Sequence, residues 1–446
     1  MSFIVPLHTP KVRGLKGHWR PPADKSISHR ALLLSSMAVG ISQIYNCLDA
    51  EDVLSTRRVL GMLGIKINPR KDHLEILGQG RYAFRPPAGG IDVGNSGTTL
   101  RLLTGLLSAQ PFSSRLTGDA SLLTRPMGRL VEALQKMGAR LAATDQRAPI
   151  RIHPIEKKLS AIHYEMAEPS AQIKSALLLA GLYAEGETII REPVQTRDHT
   201  ERMLRWMEAP IRFHGDGHDR RISIQEGDLL AKRVDVPGDL SSAAFMIALA
   251  LLMPGSHICI EDVGLNPTRT GFLDIVKSMG GKISYEILSE SYPGESIGRV
   301  SVEHAMLSSV VVSAGLTTRS IDEIPLVALL ATQAEGQTII EDAAALRFKE
   351  SDRLKAVAEG LRRMGAVIRE IPSGPVPAGL QPAGLVIEGP TPLSGAAVSS
   401  YGDHRIAMML VLAGLIAKGQ TRIDRMDSIG NSFPNFLNSL NQLATS

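Results

Sequence analysis

Aromatic side chains make up only 4% of this 446-residue chain, and it has just two cysteines. So few rings argue against a surface that stacks bases, the usual grip on single-stranded nucleic acid. Cys47 and Cys259 lie far apart in sequence, without His or Cys neighbours at ligand spacing, which excludes a disulfide scaffold and any metal motif of that kind. Lys and Arg never run to five in a row, and no GxxxxGK[ST] loop occurs. The longest apolar stretch, residues 243–254, is too short to cross a bilayer. The opening residues, MSFIVPLHTPKVRG, contain no signal-peptide core. These absences leave a cytoplasmic protein, with no nucleic acid and no membrane among its expected partners.

What is present is ordinary in bulk and unusual in pattern. Hydrophobic residues are 43%, charged residues 21%, and the formal net charge is +4. A core poor in rings must be aliphatic and rich in small residues, which suits close helix packing. The length allows two or three domains.

Two phrases alternate along the chain. One is a helix end, usually a glycine, and a strand: LGMLGIKI, LQKMGARL, LRWMEAPIRF, VKSMGGKIS and LRRMGAVIR, with LNQLA as a truncated sixth copy. These recur at roughly 70–85 residues, the mark of an internal repeat. The other is a polar turn, an apolar helix, a glycine turn and a β-branched strand, beginning at Asp24, Asn95, Ser170, Asp239, Asp322 and Asp403. Its helix is apolar nearly all round and is expected to be buried, whereas its partner is amphipathic. In the first copy Gly40 is read as the residue that closes the helix. The pattern predicts an α/β protein of two similar domains, each of three repeated β/α units. The breaks RPPAD and VDVPGD place a hinge near residues 20–24 and 234–239. The first domain is then discontinuous, 1–20 plus 237–446, and the second spans 21–236.

Cations crowd the starts of these helices. Lys25 and Arg30 open the first, and Arg101, Lys174, His404 and Arg405 follow the polar turns of others. Arg125, Arg197, Arg269, Lys349 and Arg353 stand at the second helices. A helix start already carries partial positive charge, so added cations call for a counter-charge. The repeat would collect these starts on one face of each domain and so build a positive cleft for small ligands bearing phosphate and carboxylate. An Arg–Asp or Arg–Glu pair inside the protein is the plainer alternative at each position. Asp322 in SIDEIP and Glu350 in FKESDR are the acid–base candidates, with helix capping as their alternative.

The segments DKSISHR, GNSGTTLR, TRPMGRL, SAQIKSALLLAGL, RDHTERM, PGDLSSAAF, NPTRTG, IDEIP, KESDRL and DHRIAM follow one another in this order. The set resembles the 5-enolpyruvylshikimate-3-phosphate synthase family over nearly the whole chain, and SAQIK, RDHTE and NPTR resemble its second class. The resemblance implies the enolpyruvyl transferase fold, two domains that close on their ligands. It implies transfer of the enolpyruvyl group of phosphoenolpyruvate to the 5-hydroxyl of shikimate 3-phosphate, with loss of phosphate through a tetrahedral intermediate. That step belongs to chorismate and aromatic amino acid biosynthesis. It implies no metal and no organic cofactor, and the expected state of the chain is a monomer.

Carried over by motif, Lys25 touches both substrates. Ser26, Arg30, Ser170, Gln172, Asp322 and Lys349 hold shikimate 3-phosphate. Asn95, Gly97, Arg125, Gln172, Arg353 and Arg405 hold phosphoenolpyruvate. Asp322 is the base toward the hydroxyl, Glu350 the acid and base at the methyl carbon, and Lys25 the electrostatic stabiliser of the phosphate. The chain departs from the family pattern at Ala23, Ala171, Ala345 and Asn431. For the inhibitor glyphosate two cues oppose each other: Gly97 leaves it room, and the second-class motifs imply tolerance. One alternative is the sister transferase acting on UDP-N-acetylglucosamine, which typically uses a Cys in the loop that here reads GDASLLTRP. The other is an RNA-end-processing or nucleic-acid-binding repeat protein.

Overall fold

A computed structural model describes residues 2–5, 14–215, 219–371 and 383–444. Part of the opening stretch read for a leader, residues 6–13, lies outside these. The chain divides into two units. The first comprises Met1–Pro22, Gly238–Ser289 and Ser296–Ser446, and the second Ala23–Pro237 with Glu290–Glu295.

One sheet plan recurs. In the second unit Ile91–Asp92 runs parallel to Ser114–Thr117, which pairs antiparallel with Arg147–Ile152, itself flanked by antiparallel Leu141–Thr144. His163–Glu165, Glu187–Arg191, Arg221–Gln225 and Ile211–His214 repeat that order. In the first unit Val311–Val312, Gly336–Ile340, Gly384–Gly389 and Val367–Ile371 repeat it again. A parallel pair needs a crossover, and the buried helix supplies it. The remaining sheets borrow strands from the far end of their own unit. Arg233–Asp235 lies parallel to Ala38–Tyr45, Lys16–Trp19 lies parallel to His257–Gly264, and Ser2–Val5 completes the sheet of Thr421–Asp424.

The crossover helices are Lys25–Met37, Gly97–Leu107 and Ala171–Gly181 in the second unit, and Leu240–Leu252, Ile324–Ala331 and His404–Ile416 in the first. Five begin with a side-chain cap: Asp24 accepts from the Ile27 amide, and Ser96, Ser170, Asp239 and Asp403 act likewise. Their packing explains the shortage of rings. A Cβ on Gly105 would fall 2.3 Å from the Ala176 carbonyl oxygen, so two helix backbones meet where no side chain fits. Each unit has its own aliphatic core, and no helix among the described residues is long and apolar enough to cross a membrane.

Two expectations need correction. Gly40 does not close the first helix. The helix ends at Met37, the strand starts at Ala38, and Gly40 sits inside that strand at φ 110°. The tight helix-to-strand passage instead depends on Gly78 of the neighbouring strand, whose Cβ would collide with the Ala38 carbonyl oxygen at 2.2 Å. Residues 290–295, assigned from sequence to the domain 237–446, belong to the second unit. They form the tip between the paired strands Lys282–Ser291 and Glu295–Glu303. His199 meets Glu295 at 2.7 Å, Arg202 donates to the Gly294 carbonyl, and Tyr292 stacks on Trp206.

Candidate active site

In the second unit four helix starts are tied together by side chains. Lys25 reaches Asp52, in the first turn of Glu51–Met62, at 3.0 Å. His29 Nδ1, Thr56, Thr99 and Ser96 form a buried chain of contacts of 2.7, 2.6 and 2.6 Å across three helices. Gln172 accepts from Arg101 at 2.9 Å and donates to Thr98 at 3.0 Å. Arg125 donates to Asn95 at 2.7 Å, and Asn95 donates to Asp119. Gly97 is where these groups converge: a Cβ there would lie 2.8 Å from an Arg101 nitrogen and 3.0 Å from an Arg125 nitrogen. A glycine at that helix start lets two guanidinium groups approach the amide-rich end together, a ready site for an anion. Ser26 and Ser170 are half-buried beside Lys25 and Gln172 in sequence.

Arg30 lies deeper. It donates to Thr200 at 2.6 Å, to Ser175 at 3.0 Å and to the Ser26 carbonyl at 2.9 Å. Those bonds use three of its five N–H groups. Burial pulls its guanidinium down to about 10, against Glu201 and Asp24, which favour the charge. An anion at the remaining N–H groups would relieve that strain on the charge.

The first unit gathers a different set. Arg353, 1% exposed, stands at the start of the helix Arg353–Arg363 and holds three carboxylates. It reaches Glu350 at 2.6 Å, Asp403 at 2.8 Å and Asp322 at 3.1 Å. Burial alone would discourage its charge, but Asp403, Glu350 and Asp322 outweigh this and hold the guanidinium above its ordinary value. Lys349 approaches Asp322 at 3.5 Å. Arg405 donates to the Asp322 carbonyl at 3.3 Å and lies 3.8 Å from its carboxylate. Neither acid is a cap. Asp352 caps its helix by accepting from the Lys355 amide, and Asp322 sits in the turn before Ile324. Both are half-buried with their carboxylates on Arg353.

The structure thus assembles Lys25, Asn95, Gly97, Arg125 and Gln172 in one unit, and Asp322, Lys349, Glu350, Arg353 and Arg405 in the other. It does not place every helix-start cation in such a group. Lys174 is fully buried between Glu192 at 2.8 Å and Glu201 at 2.6 Å. Arg269 is buried against Asp239 and Ser241. For these two, as for Lys25 with Asp52 and Arg353 with its three carboxylates, the counter-charge is the protein's own. Asp52, Thr98, Arg101 and Asp403 join the sites without having been named as site residues from sequence. Arg101 and Asp403 carried a signal, as a helix-start cation and as the head of the sixth repeat. Asp52 carried none, because an acid in a first helical turn is common.

Repeated β/α units of this kind, in two similar sets of three, make the enolpyruvyl transferase fold. The fold matches the enolpyruvyl transferase NikO from Streptomyces tendae, with a TM-score of 0.73 over 97% of this chain and 95% of that one, at 17% identity. More specifically, the family model of EPSP synthase (3-phosphoshikimate 1-carboxyvinyltransferase) matches residues 10–440. A 3-phosphoshikimate 1-carboxyvinyltransferase of Citrifermentans bemidjiense is 41% identical over 96% of both chains. The EPSP synthase of Acinetobacter baumannii superposes with a TM-score of 0.81 at 37% identity, covering 97% of this chain and 96% of that one. The chain belongs to the EPSP synthase family. It is a transferase of the shikimate pathway, moving an enolpyruvyl group to shikimate 3-phosphate. The UDP-amino-sugar and nucleic-acid alternatives give way to this assignment.

Proposed function

We propose that the two groups of residues close on one pair of substrates and divide the reaction between them. Arg30, Ser26, Ser170, Gln172 and Lys349 hold shikimate 3-phosphate. Arg125, Asn95, Gln172, Arg353 and Arg405 hold phosphoenolpyruvate, with the Gly97 backbone against it. Lys25 touches both. Glu350 gives a proton to the methylene carbon of phosphoenolpyruvate, which makes C2 electrophilic. Asp322 takes the proton of the 5-hydroxyl as its oxygen bonds to C2. The tetrahedral adduct then loses phosphate as Glu350 takes a proton back from the new methyl group, and Lys25 stabilises the departing charge. Exclusion of water on closure strengthens these charges. The chain works as a cytoplasmic monomer, takes no nucleic acid, and uses no metal or organic cofactor in this step.

The observation that carries this reading is Arg353 holding Glu350 and Asp322 at 2.6 and 3.1 Å. One guanidinium fixes both proton-transfer groups and presents them together. The test is phosphate release from phosphoenolpyruvate, measured with and without shikimate 3-phosphate, in the wild type and in Asp322→Asn and Glu350→Gln. Release should require both substrates, and each variant should lose about a hundredfold in kcat. Near-normal turnover in either variant would remove that residue from its role.

A further inference from the structure

The sheet of the first unit that begins with Lys16–Trp19 carries a cluster outside the transfer chemistry. Its inner face packs Ile258 and Ile260 into the core. Side chains alternate along a strand, so Cys259 and Glu261 share the outer face. The parallel register sets His18 directly beside Cys259. His18, Cys259 and Glu261 each offer one donor atom, and these atoms lie within 4.8 Å of one another. His18 Nδ1 is already 3.0 Å from Glu261 Oε1. No spacing in the sequence announces this group, because 241 positions separate His18 from Cys259 and only strand pairing joins them.

We propose that His18, Cys259 and Glu261 form a surface site for a zinc ion, with a water molecule in the fourth position. An imidazole nitrogen, a thiolate and a carboxylate are the donor types zinc prefers. Zinc bonds of about 2.0–2.3 Å put tetrahedral donors ~3.5 Å apart, so the side chains need to draw in by roughly an ångström. His18 is exposed and the other two are half-buried, which leaves them free to turn. The backbone is not free: the sheet ladder fixes all three positions, as a metal site on strands requires. Arg20 lies 3.7 Å from Glu261 Oε2 and 3.1 Å from Asp262. It engages the oxygen that faces away from His18 and leaves Oε1 for the ion, the orienting role an outer partner plays. Charge balances. Binding releases the Cys259 thiol proton to solvent, and thiolate and carboxylate together neutralise a divalent cation. The other cysteine offers nothing similar, since burial pushes the Cys47 thiol up to about 11.

The test uses the full chain and cobalt(II) as a visible stand-in for zinc. Titration should give one equivalent per chain, with a near-ultraviolet thiolate-to-cobalt band and the visible bands of a tetrahedral ion. Zinc should then abolish both. Cys259→Ser should lose the thiolate band, His18→Ala should weaken binding ~10-fold or more, and Cys47→Ser should keep both. Unchanged phosphate release in the three variants would establish that each is folded. A wild type without the thiolate band overturns the site. So does an undiminished band in Cys259→Ser, or an undiminished affinity in His18→Ala.

Discussion

The two units build their helix starts on one plan and give the cations there different sets of partners. In the second, Arg101 and Arg125 donate to Gln172, Asn95 and Ser121, while Lys25 pairs with Asp52 and Lys174 with Glu192 and Glu201. In the first, Arg353 is enclosed by Asp322, Glu350 and Asp403. Amide and hydroxyl groups orient the Arg101 and Arg125 guanidinium groups at the helix starts. Three acids gather around one cation, Arg353, and two of them are the proton-transfer groups of the function proposed above. The repeat therefore fixes where these cations stand, and the fold of each unit fixes which partners they meet.

The sharpest way to break this contrast is Arg353→Met. It strands three carboxylates, and removal of one member of a buried charge cluster costs about 3–5 kcal/mol. Urea unfolding should show that loss, and turnover should vanish with it. Lys174→Met is the control that sharpens the comparison. It should destabilise by a similar ~3–5 kcal/mol through Glu192 and Glu201, yet at temperatures where it is folded both Michaelis constants should stay at wild-type values. A raised constant for either substrate would show Lys174 to be more than structural.

Gly97→Ala probes the anion-binding half. The new methyl group meets the far ends of Arg101 and Arg125, which are flexible, so stability should hardly change. Displaced guanidinium groups should raise the Michaelis constant for phosphoenolpyruvate about tenfold, with a smaller effect for shikimate 3-phosphate. Equal effects on the two would argue against the division of ligands drawn above.

The smallest effect concerns His29, which ties three helix starts together. Burial, then Lys25 and Arg30, hold its imidazole well below the ordinary histidine value, while Asp24 pulls the other way. The folded chain thus keeps His29 neutral where the unfolded chain takes up a proton. Below about pH 6.5 this group makes stability fall with acid, by at most ~1.4 kcal/mol per pH unit. Urea midpoints at about pH 7 and about pH 5.5 should separate in the wild type, and His29→Asn should narrow the gap. An unchanged gap would mean that other groups set the acid response.

Much of this architecture was legible in the residues, for a physical reason. Six copies of a buried helix and its turn write the same polar and apolar pattern six times, so the units and their helix starts stood out. The fate of each cation did not. Lys174 and Arg125 look alike locally, and only the fold reveals that Glu192 and Glu201 reach one while Asn95 reaches the other. The tip at 290–295 was hidden because its contacts with His199 and Trp206 follow no period. The pairing of His18 with Cys259 was hidden for the same reason, since strand neighbours across the chain leave no mark in linear spacing.

That tip governs how this molecule can be taken apart. Scission at the Pro22–Ala23 and Pro237–Gly238 peptide links would not yield two whole pieces. The excised 23–237 fragment would lose the carboxylate that His199 meets and the carbonyl that Arg202 meets. Its former neighbour would retain six residues evolved to rest elsewhere. Anyone wishing to produce either half separately would have to graft residues 290–295 onto the excised fragment and close the gap they leave with a short turn.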